Sequence, residues 1–208
     1  MSKIGGYENI HRDLLDGLKS VNLTQAAKIL DLPYNSAGEV EIVLLGTNYL
    51  IKSSGIHRQD GKASAPAHES ILAGYILHQG RGKPSGDFVS FDSITGMVPA
   101  RSSYTRNSLE ARLVKYAEVD PTTFHEVVVK SGGRSGGEVG SGGKSWIVQL
   151  LPKISVQLIF YMGDEEIASD VRLLIDQSSV IFLEFEFLAV LATIFVEQLI
   201  EEMPKYSL

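Results

Sequence analysis

Three consecutive carboxylates that follow an apolar run are the residues of this chain best suited to chemistry. The run from Ile154 to Tyr161 is closed by Gly163, and Asp164, Glu165 and Glu166 come next. Carboxylate oxygens bind hard cations such as Mg²⁺ or Ca²⁺, and a turn can bring two of them together. Two close carboxylates can also differ in pKa and act as acid and base. The alternative is a charged turn that caps the next segment or pairs with a Lys or Arg.

Other carboxylates downstream extend this candidate. Asp170 and Asp176 follow within the next ten residues or so of the chain, and either one could add a further ligand oxygen to the turn. The glycine-rich tract 131–144 is expected to be either a mobile surface loop or a lid that a ligand orders over the site, because glycine is entropically costly to fix.

Two glycine-containing patterns resemble catalytic motifs but fail on spacing and context. The tract 131–144 ends in Gly143-Lys144-Ser145, yet the position five before Gly143 is Glu138 rather than glycine. The spacing of a phosphate-binding loop is therefore missing, and a strand rather than a helix is predicted to follow. Gly133 to Gly137 matches Gly-x-Ser-x-Gly, the motif of serine hydrolases in which the catalytic histidine follows the serine in the chain. Every histidine of this chain precedes the motif, which argues against such an enzyme.

Histidine and cysteine give no metal-binding pattern. His68 and Glu69 begin like a zinc-protease helix, but position 72 is leucine where a second histidine is needed. On one helix, His68 and His78 are about 80° out of phase and do not share a face. The absence of cysteine excludes disulfides and thiolate-ligated clusters within the chain.

The hydrophobic periodicity predicts an α+β fold, mainly antiparallel sheet with flanking helices and a C-terminal core helix. Helices are expected at the N-terminus, where Tyr7, Ile10, Leu14, Leu18 and Val21 form one face, from about 22 to 30, 66 to 78, around 109–117, from Pro121 to about Val129 and from Phe185 to Glu202. Strands are expected at 40–45, 48–51, 87–91, 146–151, 154–161 and 171–175. We expect one α+β domain over 1–208, with a helical extension at 1–38 and a flexible loop at 131–144.

Composition limits the possible partners and compartment. The chain has 208 residues and a formal net charge of −6, which argues against general nucleic-acid binding. The basic residues between Lys52 and Lys83 and the acidic residues after Gln157 are segregated, which indicates two differently charged faces of one protein or, alternatively, a basic segment that meets an anionic ligand or partner. The longest apolar tract, Phe187 to Val196, is about half of the ~20 residues that cross a bilayer. We therefore expect a soluble, cytoplasmic protein without membrane contact.

Several short blocks together resemble a known family. LLGTNYLIKSSG, ILHQGRGKPSG, DFVSFDSI and LPKISVQLIFYMGDEE, with LLIDQSS and a late helix, are similar to the bacterial and archaeal family called domain of unknown function 3786. The resemblance spans Glu39 to Glu202. It implies that the recurrent positions are Leu151-Pro152, Gly163 to Glu166, Asp176, Gly86, Phe88, Ser90 and Phe91.

The same resemblance implies features of a ligand site and a metabolic setting. Tyr161 stands where members usually have tryptophan, and Ile167 where they usually have phenylalanine, so an aromatic wall for a planar ligand is reduced here. Some members resemble fusions to a four-cysteine iron–sulfur module like that of corrinoid proteins, and this chain lacks that module. A role accessory to one-carbon or corrinoid metabolism of anaerobes is thus implied only by association.

These observations favour a protein that binds a small molecule or a protein partner. The expected ligand-binding residues are Tyr161, Gly163, Asp164, Glu165, Glu166 and Asp176. The alternative is a divalent-metal-dependent enzyme that uses the acidic turn 164–166 as ligands or as acid and base. The sequence assigns no catalytic residue, no cofactor and no oligomeric state.

Overall fold

The structure, a computed structural model, describes residues 4–94, 109–140 and 142–204, and the side chains among them from residue 7 onward. Its helices are α1 (Ile4–Ser20), α2 (Leu23–Leu30), α3 (Pro66–His78), α4 (Phe91–Ile94), α5 (Ala111–Val119), α6 (Pro121–Lys130) and α7 (Phe185–Glu202). Its strands are β1 (Val40–Leu44), β2 (Thr47–Lys52), β3 (Gly55–Arg58), β4 (Phe88–Ser90), β5 (Arg134–Val139), β6 (Gly143–Leu151), β7 (Ile154–Tyr161) and β8 (Asp170–Asp176). A 3₁₀ helix, Gln177–Ile181, joins β8 to α7.

The strands form two antiparallel sheets, which confirms the α+β prediction. The smaller sheet has the order β1-β2-β3, and the larger has the order β4-β8-β7-β6-β5. Each strand of the larger sheet runs antiparallel to its neighbours. Strands β6 and β7 form a hairpin that turns at Pro152-Lys153, as the sequence predicted.

Local sequence signals fix the helix boundaries. Asn22 caps α2, because its side-chain oxygen accepts the Gln25 N–H at 3.0 Å. Helix α3 begins with Pro66, a residue that suits the first helical position, and ends at Gln79 in the left-handed conformation. The predicted bounds of α3 and α7 agree with the structure residue for residue.

One hydrophobic core joins the helices to both sheets. The predicted stripe of α7 is buried throughout, and its members are Leu188, Leu191, Ala192, Phe195 and Leu199. The predicted stripe of α1 is wrong at its N-terminal end, where Tyr7 and Ile10 are 44% and 49% exposed. Only the later part of α1 packs inward, with Leu18 fully buried.

The glycine-rich tract forms a strand where the sequence predicted a loop. Strand β5 pairs with β6 from Arg134 to Val139, with a bulge between Ser135 and Gly137. A side chain at Gly136 would place its Cβ 2.5 Å from the Ser145 hydroxyl, so glycine permits a close approach that a larger residue would block. Pairing with β6 orders a segment that composition alone assigns to a loop. Ser141 of this tract lies outside the described residues.

Lys153 fixes the β6–β7 turn to the helical layer. Its ammonium group is 2.7 Å from an Asp31 carboxylate oxygen and 3.0 Å from the Gly82 carbonyl oxygen. A third contact, to the Ile29 carbonyl oxygen, measures 3.4 Å. An ammonium has three N–H donors, so each of them has an acceptor, and the burial of Lys153 (6% exposed) is compensated.

Candidate functional site

In the acidic turn after β7, the Asp164 side chain is bonded to the backbone of the residues that follow it in the turn. One Asp164 carboxylate oxygen accepts the N–H groups of Glu166 and Ile167, both at 2.9 Å. These two bonds lower the pKa of Asp164 below its ordinary value. The Asp164 N–H donates to the Ile167 carbonyl at 2.9 Å. The carboxylate thus has a structural partner, as in the capping alternative that the sequence left open.

Gly163 allows this turn to close tightly. A Cβ at position 163 would lie 2.5 Å from both the Ile167 carbonyl oxygen and the Ser169 nitrogen. The Gly163 N–H donates to the Ser169 hydroxyl at 3.0 Å. Because the obstructing atoms belong to backbone, any other residue here would have to open the turn.

The remaining side chains of the turn point into solvent or back onto the sheet. Glu165 and Glu166 are exposed. Met162 and Ile167 beside them are 60% and 68% exposed, which is unusual for large apolar residues. Tyr161 is half-buried, and its ring covers Gly143 on β6, where a Cβ would be 2.5 Å from a ring carbon.

The structure corrects the expected grouping of Asp176 with the acidic turn. Tyr161 pairs with Asp170 at the start of β8, whereas Asp176 ends the same strand and pairs with Phe88. Six residues of extended strand separate the two positions by about 20 Å. Antiparallel pairing therefore places the turn and Asp176 at opposite ends of the larger sheet.

Asp176 is a buried carboxylate with a complete set of donors. It is fully buried, and it accepts hydrogen bonds from Ser85 N–H (3.2 Å) and hydroxyl (2.9 Å) and from Gly86 N–H (2.7 Å). Ser178 adds its N–H at 2.9 Å and its hydroxyl at 2.5 Å. Burial alone would raise the pKa of Asp176, but these bonds outweigh it and the net pKa lies below the ordinary value. Asp176 holds the 85–87 segment against the 3₁₀ helix.

The geometry offers little to a divalent cation. Within the ranges that the structure describes, no three His, Asp or Glu side chains converge as metal ligands. Asp170, the other carboxylate considered for the turn, pairs instead with Arg172 at 2.7 Å. The metal-dependent alternative therefore has no assembled ligand set in this part of the chain.

A serine, a histidine and a glutamate do meet elsewhere, at the contact of α1 with α3. The Ser70 hydroxyl is 3.0 Å from Nδ1 of His11, and Nε2 of His11 is 3.3 Å from the Glu69 carboxylate. Ser70 lies within α3 and is only 1% exposed, so its oxygen does not reach a substrate in solution. The arrangement joins two helices, and we assign it no catalytic role.

Among the strands that the structure describes, the larger sheet is incomplete beside β8, and this edge borders the best-built site. Strand β4 pairs with Leu174, Ile175 and Asp176 of β8 and is shorter than its neighbour. Where β4 ends, the Leu173 N–H donates to Oε1 of Glu110 at 2.7 Å, so a side chain replaces the missing strand.

A cavity of about 170 Å³ lies beside this edge. Among the described residues, the polar members of its lining are Ser90, Asp92, Glu110 and Arg172. Its apolar lining includes Phe91, Leu109, Leu174 and Ala192. A cavity of about 150 Å³ is known to accept benzene, so this space suits a molecule of similar bulk. We call it the edge cavity.

Charged residues of both signs line the edge cavity. The Asp170 carboxylate, bonded to Nε of Arg172, raises the pKa of that guanidinium further, so Arg172 is always charged. Asp92 and Glu110 contribute carboxylates to the same lining. Charged groups of both signs beside apolar walls are the ingredients of a specific small-molecule site.

Only part of the edge cavity had a signal in the sequence. Ser90 and Phe91 belong to the block DFVSFDSI that carried the family resemblance, and Leu109 falls at the start of a predicted helix. Glu110 and Arg172 belong to no sequence motif. They come from distant segments of the chain, and strand pairing and helix packing bring them to the same cavity.

Comparison with known proteins identifies a family but no function. No curated protein and no solved structure matches the chain significantly. In the described residues, no helix is both long and apolar enough to cross a membrane. A family model, described as a domain of unknown function (DUF3786), matches residues 22–198, which cover β1 to β8 and most of α7. The chain therefore belongs to the DUF3786 family.

Proposed function

We propose that this protein binds a small molecule in the edge cavity. The observation that supports the proposal best is the lining itself, where Asp92, Glu110 and Arg172 meet the apolar wall of Leu109 and Ala192. Ligand sites combine a mainly apolar surface with a few placed polar groups that fix orientation. In the acidic turn, by contrast, the Asp164 carboxylate already accepts the backbone N–H groups of Glu166 and Ile167.

The size of the edge cavity limits the ligand. A space of about 170 Å³ suits a single small ring or a branched alkyl group. A corrin macrocycle is several times larger than such a group. If the protein does serve corrinoid metabolism, as the family association suggested, it acts there through a small metabolite or a protein contact.

Ligand-observed NMR with a panel of small amphipathic compounds tests this proposal. Ala192→Leu fills the edge cavity from α7, and Leu174→Phe fills it from β8. Ala189→Leu, on the same helix but outside the lining, is the matched control. We expect compounds that bind wild type also to bind Ala189→Leu, and not to bind Ala192→Leu or Leu174→Phe. Unchanged binding to a filled variant that remains folded by circular dichroism would contradict the site.

The surface around the acidic turn supports a second candidate, binding of a protein partner. Met162 and Ile167 are exposed next to Glu165 and Glu166, and apolar side chains rimmed by charge are typical of protein contacts. The complementary partner carries basic residues around an aliphatic or aromatic side chain.

A peptide-library selection tests the second candidate. We expect enrichment of peptides with Lys or Arg next to an apolar residue, and loss of their binding to Ile167→Ser. Val43→Ser serves as control, because Val43 is also an exposed apolar residue and lies on the smaller sheet. Selection of peptides without that pattern would eliminate this candidate.

A further inference from the structure

We infer that the ligand of the edge cavity is a small zwitterion of the α-amino-acid type with a branched apolar side chain. This inference rests on the proposed function and adds the chemical class of the ligand. It follows from three kinds of residue in the lining: one arginine, two acidic residues and an apolar wall.

Arg172 is the group for the ligand carboxylate. A guanidinium has five N–H donors, and the Asp170 carboxylate engages Nε at 2.7 Å. The outer nitrogens keep donors in the planar arrangement that matches a carboxylate. Asp170 also fixes the Arg172 side chain on the strand, so less conformational freedom is lost when a ligand binds.

Asp92 and Glu110 are the groups for the ligand ammonium. One Glu110 oxygen accepts the Leu173 N–H at 2.7 Å, and both carboxylates have further interactions in the fold. A carboxylate offers about four acceptor positions, so an existing partner leaves capacity for an ammonium N–H. Their position in the same lining as Arg172 places acceptors and donors around one small volume.

The apolar wall selects the side chain of the ligand. Phe91, Leu109 and Ala192 are buried, and they line the cavity together with half-buried Leu174. These side chains carry no polar atoms, so an alkyl group gains by leaving water whereas a hydroxyl or amide would lose hydrogen bonds. Leucine has a suitable alkyl group, and we use it as the reference probe.

Four related probes separate the contributions of the two charges. They are leucine, isopentylamine (leucine without its carboxylate), 4-methylpentanoate (leucine without its amine) and isopentanol (neither charge), each titrated into the full chain by calorimetry or NMR. We expect the Kd of leucine to be lower than that of every other probe by about tenfold or more, as the loss of one charge-assisted hydrogen bond predicts.

Arg172→Gln assigns the carboxylate contact. We expect this variant to bind leucine about tenfold more weakly than wild type does, and to bind isopentylamine with unchanged affinity. Arg112→Gln is the matched control, since Arg112 lies on α5, pairs with Glu197 at 3.7 Å and does not line the edge cavity. Its leucine affinity should equal that of wild type.

The possible outcomes separate this inference from the proposed function. If isopentanol or isopentylamine binds as tightly as leucine and Ala192→Leu abolishes that binding, the edge cavity remains a binding site but its ligand is not a zwitterion. Binding of none of the four probes, together with a negative small-molecule panel, would overturn both. If Arg172→Gln binds leucine as tightly as wild type does, Arg172 does not contact the ligand.

Discussion

Glu110 closes the open edge of the larger sheet, because its Oε1 accepts the Leu173 N–H at 2.7 Å. The same carboxylate lines the edge cavity, so the residue that completes the sheet also borders the proposed site. Ligand binding at the cavity and order at the β8 edge are therefore expected to depend on each other.

Replacement of Glu110 tests this edge contact directly. In Glu110→Ala the Leu173 N–H loses its acceptor, and we expect a loss of roughly 1–3 kcal/mol in unfolding free energy. Glu110→Gln keeps a carbonyl oxygen at that position and should retain most of the stability. Amide hydrogen exchange read at Leu173 by NMR distinguishes them: faster exchange in the Ala variant alone is expected, and equal exchange in both would count against the contact.

Asp176→Asn should destabilise the protein mainly above acidic pH. Because hydrogen bonds hold the folded pKa of Asp176 below the ordinary 3.8, its stabilisation is present above that value and is lost as the pH falls through the folded pKa. We expect the variant to lose roughly 2–4 kcal/mol at neutral pH and less near pH ~2.

Urea unfolding at the two pH values measures this difference. Asp87→Asn, at an exposed carboxylate close by, is the control and should change stability little at either pH. A deficit in Asp176→Asn of the same size at both pH values would show that the ionised carboxylate is not what stabilises the fold.

Lys153→Met should destabilise the fold because it removes the donor shared by Asp31, Ile29 and Gly82. The loss leaves two backbone carbonyls without that donor, for which we expect roughly 1–3 kcal/mol. Lys144→Met makes the same change on β6 at an exposed lysine and should be nearly neutral. Equal unfolding midpoints for the two variants would refute the structural role of Lys153.

Gly163→Ala should disturb the acidic turn, since the added Cβ would meet backbone atoms of Ile167 and Ser169 at 2.5 Å. Overpacking of this kind costs roughly 1–3 kcal/mol. Glu165→Ala, which removes an exposed charge from the same turn, should change the unfolding free energy little. Chemical denaturation of both variants checks the contrast, and a neutral Gly163→Ala would show that the turn opens freely.

Calorimetric titration with Mg²⁺, Mn²⁺ and Ca²⁺ tests the metal-dependent alternative. We expect no heat of binding at the acidic turn, because no three His, Asp or Glu side chains among the described residues converge there as ligands. Binding that Asp164→Ala abolishes would reverse this conclusion and restore the metal-enzyme hypothesis.

The helices were predictable because their ends carry strong local signals. Pro66 opens α3, and the apolar spacing of α7 continues without interruption from Leu188 to Leu199. The N-terminal stripe failed at Tyr7 and Ile10 because periodicity shows which residues share a face, whereas packing decides how much of that face is covered.

Strand β5 and the edge cavity depend on contacts that the local sequence does not encode. Glycine propensity favours a loop at 134–139, but pairing with β6 outweighs it. Likewise, Glu110 and Arg172 are far apart in the chain and line one cavity because Glu110 bonds to the backbone of Leu173, next to Arg172. The acidic turn attracted attention through its sequence, while the antiparallel order of β7 and β8 separated it from Asp176.

Chemical-shift mapping of the ¹⁵N-labelled chain during a leucine titration tests the central claim most directly. Binding in the edge cavity predicts the largest shifts at 90–92, 109–110 and 172–174, and their loss in Ala192→Leu. Shifts centred on 163–167, or shifts that Ala192→Leu leaves unchanged, would contradict the assignment of the ligand to the edge of β8.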